Sequence, residues 1–202
     1  MASGTIELGL DSGNWATTFA TSQSIYGQGI AGFSDGSSIL TGYFDGSSRF
    51  HDKRITSSGA SDIYVVKLGS EGAVEWVTQA GGPSWDKAED IATYSDGSSI
   101  VIGTFRTTAT FGDANLTYYG SNDAYADIFI SKISPDGQFE WTKSISSAGH
   151  DEGLAVSALP DGSAIITGSF TAATTFGTEQ LIPNGNYSDI FISKINSDGT
   201  FA

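Results

Sequence analysis

DGSSIVIGTF, residues 96–105, decides how this chain is read, because it occurs three times: as DGSSILTGYF at 35–44 and as DGSAIITGSF at 161–170. Asp-Gly followed by β-branched residues is a hairpin turn entering a strand. Working outward, Trp15, Trp76 and Trp141 each stand 20 residues before their Asp-Gly, and Gly42, Gly103 and Gly168 each follow the Asp by seven. The aromatic pairs Phe44/Phe50, Phe105/Phe111 and Phe170/Phe176 keep one spacing, and Gly59, Gly120 and Gly185 close the shared pattern. After that glycine the copies differ (GASD, GSNDAYAD, GNYSD), and register returns at Asp62, Asp127 and Asp189. Repeats at this interval are the first thing to settle in a sequence, since each is one supersecondary unit.

Each unit reads as four strands. GIAGF (29–33) and SSILTGYF (37–44) meet at Asp35-Gly36; DIYVVKL (62–68) and VEWVTQA (74–80) meet at SEG, with Gly72, Gly137 and Gly199 in the left-handed place of that turn. The spacing predicts Lys67 opposite Glu75 and Lys132 opposite Glu140 as cross-strand pairs, and Lys194 opposite Asn14. Trp15, Trp76 and Trp141, in register, are expected in the core. Four-stranded units with one aromatic and glycine motif each are the signature of β-propeller blades. The expected fold is all-β; β-trefoil and β-prism are the alternatives, although trefoil repeats are shorter than these.

Quoted together, DGSSIVIGTF, TATFG, DIFISKI and DGQFEW resemble the bacterial β-propeller repeat family of SBBP type, over about residues 15–202. The resemblance implies a propeller fold in a surface or secreted array protein, and no particular reaction.

The division expected is a leader at 1–14 and repeats at 15–75, 76–140 and 141–202. The last words, SDGTFA (197–202), stop one residue short of the tryptophan that follows in the other copies, while the Trp15 strand has no blade of its own. Three blades do not close a propeller. The expectation is therefore that the Trp15 strand completes the last blade of a second copy, giving a homodimeric six-bladed ring; a piece of a longer propeller is the alternative.

A net charge of −14 repels nucleic acid and anionic lipid, so neither is an expected partner. With no Cys there is no disulfide or thiolate chemistry, and no run is long and apolar enough to span a membrane. No signal peptide is visible at MASGTIELGL, which leaves the compartment open. His51 and His150 fall at non-equivalent positions, no nucleotide-binding glycine motif occurs, and SNDAY (121–125) is a weak calcium candidate. No enzyme activity, metal or cofactor is expected.

Two classes of connection follow from the strand order. The tight Asp-Gly turns open on one face, and the longer, variable connections open on the other, where binding usually sits. The variable face carries Tyr26, Trp85, Asp86, Tyr118, Tyr119, Asn122, Asp123, Tyr125, His150, Asp151, Asn186 and Tyr187, with Lys87, Glu152 and Asn184 beside them. Aromatic platforms with amide and carboxylate acceptors suit a glycan or a protein ligand. The competing expectation is a structural assembly unit with no small ligand.

Overall fold

The computed structural model describes residues 14–119, 125–185 and 187–202. All regular structure in these residues is β, and every strand pairing is antiparallel. The first repeat runs β1 (Ala20–Thr21), β2 (Ile25–Gly32), β3 (Ser38–Phe44), β4 (Ser47–Phe50), β5 (Lys53–Thr56), β6 (Asp62–Leu68) and β7 (Val74–Ala80). The second runs β8 (Lys87–Thr93), β9 (Ser99–Phe105), β10 (Thr108–Phe111), β11 (Ala114–Thr117), β12 (Asp127–Ile133) and β13 (Phe139–Ile145). The third runs β14 (Glu152–Ala158), β15 (Ala164–Phe170), β16 (Thr174–Phe176), β17 (Glu179–Leu181) and β18 (Asp189–Ile195). The main sheets have the orders β2-β3-β6-β7, β8-β9-β12-β13 and β14-β15-β18.

The repeated Asp-Gly-Ser sets the first turn of each sheet. Asp35 Oδ1 accepts hydrogen bonds from the Ser37 amide and hydroxyl at 2.9 and 2.6 Å, and Asp96 does the same with Ser98 and Asp161 with Ser163. The side chain thus closes the turn while Gly36 takes a φ of 85°, a region open to glycine at no steric cost. The second repeated glycine has a different cause. A Cβ at Gly42, Gly103 or Gly168 would lie about 2 Å from the carbonyl oxygen of Tyr26, Lys87 or Glu152, so only a bare backbone lets the innermost strand close on its neighbour.

The core lies between sheets. Along β9, Val101 faces the first sheet and packs with Ile39, Ile63, Val65 and Ile91, while Ile100 and Ile102 face the third and pack with Val156, Ile166 and Phe191. Alternation of side chains is why one strand serves two cores. The connection between the second and third strands of each sheet begins with a small hairpin (β4–β5, β10–β11, β16–β17), and the variable segment follows it. Its phenylalanine, Phe50, Phe111 or Phe176, packs against Tyr64, Phe129 or Phe191 with ring centroids 5.1, 4.7 and 4.8 Å apart.

Two expectations need correction. Trp76 and Trp141 are half-buried and lie outside the core proper: each reaches to the next sheet, against Gly137 and Gly199, and donates its Nε1–H to Pro135 O at 2.9 Å or Ser197 O at 3.0 Å. Trp15 is exposed. Lys67 and Lys132 stand opposite Trp76 and Trp141, because a bulge follows each lysine, yet they still reach Glu75 and Glu140 at 3.1 and 3.2 Å. Within the chain Lys194 pairs with Asp161 at 3.2 Å.

Candidate functional site

β2, β8 and β14 are the first strands of the three sheets and contact one another in sequence. Each carries a bulge at the same place, so Gln28, Glu89 and Leu154 are unpaired in their ladders. A bulge breaks the strict alternation and re-aims its side chain. Two residues before the bulge in each strand stand Tyr26, Lys87 and Glu152. One backbone geometry therefore presents three different side chains at each of two levels.

These residues form a connected row. Tyr26 stacks on Tyr43, with centroids 4.7 Å apart and planes 22° apart, and the Lys87 ammonium lies 4.9 Å from the Tyr43 centroid, a cation–π contact. Burial raises the Glu89 carboxyl above its ordinary range; Lys87 pulls it back and Glu152 pushes it further up. Burial likewise raises the Tyr43 phenol, and Glu89 adds to the rise. His150 Nδ1 accepts from the Ala126 amide at 3.1 Å, so its proton sits on Nε2 and points at Glu152 Oε1, 3.2 Å away. Tyr125 lies tilted against His150, with centroids 6.1 Å apart and planes 46° apart. Trp85, Tyr119 and Tyr187 are exposed in the loops at the same end of the sheets.

Three residues expected at this face are interior. Tyr118 is buried in the core between the first two sheets. Asp86 is fully buried: its carboxylate accepts from the Gly82 amide at 2.7 Å and the Arg106 amide at 3.0 Å. Asp151 is buried too and accepts from Ser147 Oγ at 2.9 Å. Asp86 thereby satisfies two amides outside the ladders, and Asp151 holds a buried hydroxyl. Tyr26 lies within β2 and not in a loop. Asn122, Asp123 and Asn186 lie outside the described residues, as does most of the SNDAY segment. Among the described residues no three His, Asp or Glu side chains converge where a metal ion could be held.

Tyr43 and Glu89 were not expected. Tyr43 reads as one more strand aromatic, and Glu89 reads as an outward residue of an alternating strand, on the same side as Lys87 two residues earlier. The signal in the sequence is that the aligned residues Tyr26, Lys87 and Glu152, and again Gln28, Glu89 and Leu154, share no chemistry, whereas Gly27, Ala88 and Gly153 between them are all small. A cleft of about 450 Å³ on the opposite face, between the Tyr94–Ser98 and Leu159–Ser163 turns, includes Asp96, Lys132 and Asp161 in its lining. Its carboxylates serve their own turns, and Asp161 also holds Lys194.

No family model matches the chain. Over 133 residues, 61% of its length, it is 27% identical to an uncharacterized WD repeat-containing protein of Acanthamoeba polyphaga mimivirus, and it spans only 9% of that protein. A solved structure of a protein of unknown function from Bacteroides caccae aligns with 87% of this chain and 80% of its own, at 8% identity and a TM-score of 0.31, a likeness that carries no argument.

Proposed function

We propose that the chain is a non-enzymatic propeller scaffold, of the SBBP-like type its repeat words resemble, that assembles into a six-bladed ring. It binds a glycan or a protein segment at the end where the variable loops and the first strands meet. Three main antiparallel sheets stacked face to face, and the likeness to a WD repeat-containing protein, support the scaffold part of this reading. The observation that carries the binding part is the row Tyr26–Tyr43–Lys87–Glu89–Glu152–His150. Its backbone positions are equivalent from sheet to sheet, while its side chains are not.

Uniform scaffolds with site-specific side chains are how repeat folds build binding faces. A stacked tyrosine pair offers a flat apolar platform, Lys87 offers three donors, and Glu89 and Glu152 accept hydrogen bonds from hydroxyls or amides. A sugar ring or a polar peptide presents that mixture.

Glycan and peptide arrays probed with the purified protein test the proposal. The expected result is a hit whose affinity falls tenfold or more in Tyr26→Ala and in Lys87→Ala, the loss typical of an anchor. Binding by no array member, or a hit indifferent to both substitutions, supports the purely structural alternative.

A further inference from the structure

Residues 14–21 sit on the first sheet in the way that the outer strand of one sheet sits on the next. A Cβ at Gly72 would lie 2.6 Å from the Trp15 ring, as one at Gly137 would lie 2.8 Å from Trp76 and one at Gly199 3.0 Å from Trp141. Four residues beyond the tryptophan, Phe19 packs on Phe50 with centroids 4.7 Å apart, just as Ala80 joins the cluster of Phe111 and Ile145 that of Phe176. One residue further, Ala20 pairs with Arg49 where Gly81 pairs with Thr110. Trp76 and Trp141 belong to β7 and β13, the outer strands of the preceding sheets. The segment around Trp15 thus occupies the outer-strand place of a sheet that would precede the first.

Among the described residues the third sheet has no such strand, and β18 pairs with β15 on one side only. Its free face is apolar: Ile190 is 78% exposed and Ile192 70%, whereas their counterparts Ile63 and Val65, and Ile128 and Ile130, are buried under the following sheet. The first sheet shows the complementary defect. Ile30 on β2 is 71% exposed, whereas Ile91 and Val156 at the same position are buried under the preceding sheet. The chain carries, unpaired, both halves of an interface it makes twice within itself.

We infer that a second copy of this chain fills both halves. The third sheet of one copy packs on the first sheet of the other, and residues 14–20 of the second copy complete the open edge of β18. Two identical head-to-tail seams close the ring. This gives the assembly part of the proposed function its partner and its contacts, and rests on that reading. The register follows from the second sheet, where Lys132 faces Trp141 and Ser131 faces Thr142: Lys194 meets Trp15 of the other copy, and Ser193 meets its Ala16. A second copy is the occupant because it matches strand for strand, whereas an unrelated protein would match only the apolar character.

The chain contains no cysteine, so thiols can be placed at will. Ser131 Oγ and Thr142 Oγ1 are 2.7 Å apart, which shows that side chains at this pair touch. Ala16→Cys protein mixed with Ser193→Cys protein and oxidised should give a cross-linked dimer on a non-reducing gel, far above either variant alone. Light scattering of the parent at tens of micromolar should give twice the 21.0 kDa of one chain. Ile190→Asp with Ile192→Asp should give a monomer with an unchanged circular dichroism spectrum, since both side chains already face solvent in a single chain. A monomeric parent, a dimer untouched by the two aspartates, or a mixture that does not cross-link overturns the seam. A folded monomer that still binds an array ligand leaves the binding proposal standing, and a dimer that binds nothing removes only that proposal.

Discussion

Asp86 and Asp161 are the same residue type put to opposite electrostatic use. Burial pushes the Asp86 carboxyl up to about 7, against the pull of the Arg106 and Gly82 amides, with Asp62 adding to the rise. Asp127, between the second and third sheets, is raised by burial to about 6, with Asp151 adding to it. Asp161 is held down at about 2 by the Ser163 hydroxyl and amide and by Lys194. Between pH 4 and 7 the folded chain therefore binds more protons than the unfolded one at Asp86, so stability from this group is full near pH 4 and is lost as pH rises through 7. The turn aspartates act at the other end, their stability being lost as pH falls below 4 toward 2. Urea midpoints should accordingly peak near pH 4. Between pH 4 and 7 the Asp86 contribution falls by up to about 1.4 kcal/mol per pH unit and then levels off. Asp86→Asn should be less stable at pH 5 and show a flatter decline to pH 8; an equally steep decline would reassign the effect.

At the scale of the element, the β-turn before each outer strand is also a socket for another sheet. Gly137 has a φ of 87°, and its Cβ would meet the Trp76 ring at 2.8 Å. Gly185 has a φ of 93° but open space around it. Gly185→Ala should cost about 1 kcal/mol, the backbone strain alone. Gly137→Ala must also displace Trp76 and its bond to Pro135, so a loss of roughly 2–4 kcal/mol is expected. Denaturant titration of the two variants separates strain from contact; equal losses would mean that the tryptophan contributes nothing. His51 shows the converse. It takes a φ of 54° where the other repeats place Gly112 and Gly177, and it is held by Thr17 Oγ1 at 3.0 Å from its Nε2, on the segment that precedes the first sheet.

The whole molecule is a stack of sheets whose terminal faces remain apolar under a net charge of −14. Burying those faces against another copy brings two strongly acidic chains together. Assembly should therefore strengthen with added salt, because screening weakens the repulsion while the apolar contact persists. Mass action adds a second signature: the melting temperature should rise with protein concentration in the parent and stay constant in Ile190→Asp with Ile192→Asp. A parent melting temperature independent of both salt and concentration would argue for a lone chain.

The repeats, the strands and the tight turns are legible in the chain, because they depend on close neighbours. Asp-Gly-Ser bonds to itself within three residues, and strand alternation needs no partner to be read. What each repeated residue touches depends on the packing of distant segments. Trp76 was legible as a fixed position but not as a clamp on the following sheet; Asp86 and Tyr118 resembled ligand-facing groups until packing between sheets buried them. Glu89 gained Glu152 as a neighbour only because the first strands of the second and third sheets lie side by side. Whether Ile63 is covered and Ile190 bare follows from which sheet lies beyond each strand. A local sequence fixes a strand and its two faces, but the burial of a face belongs to whatever packs against it.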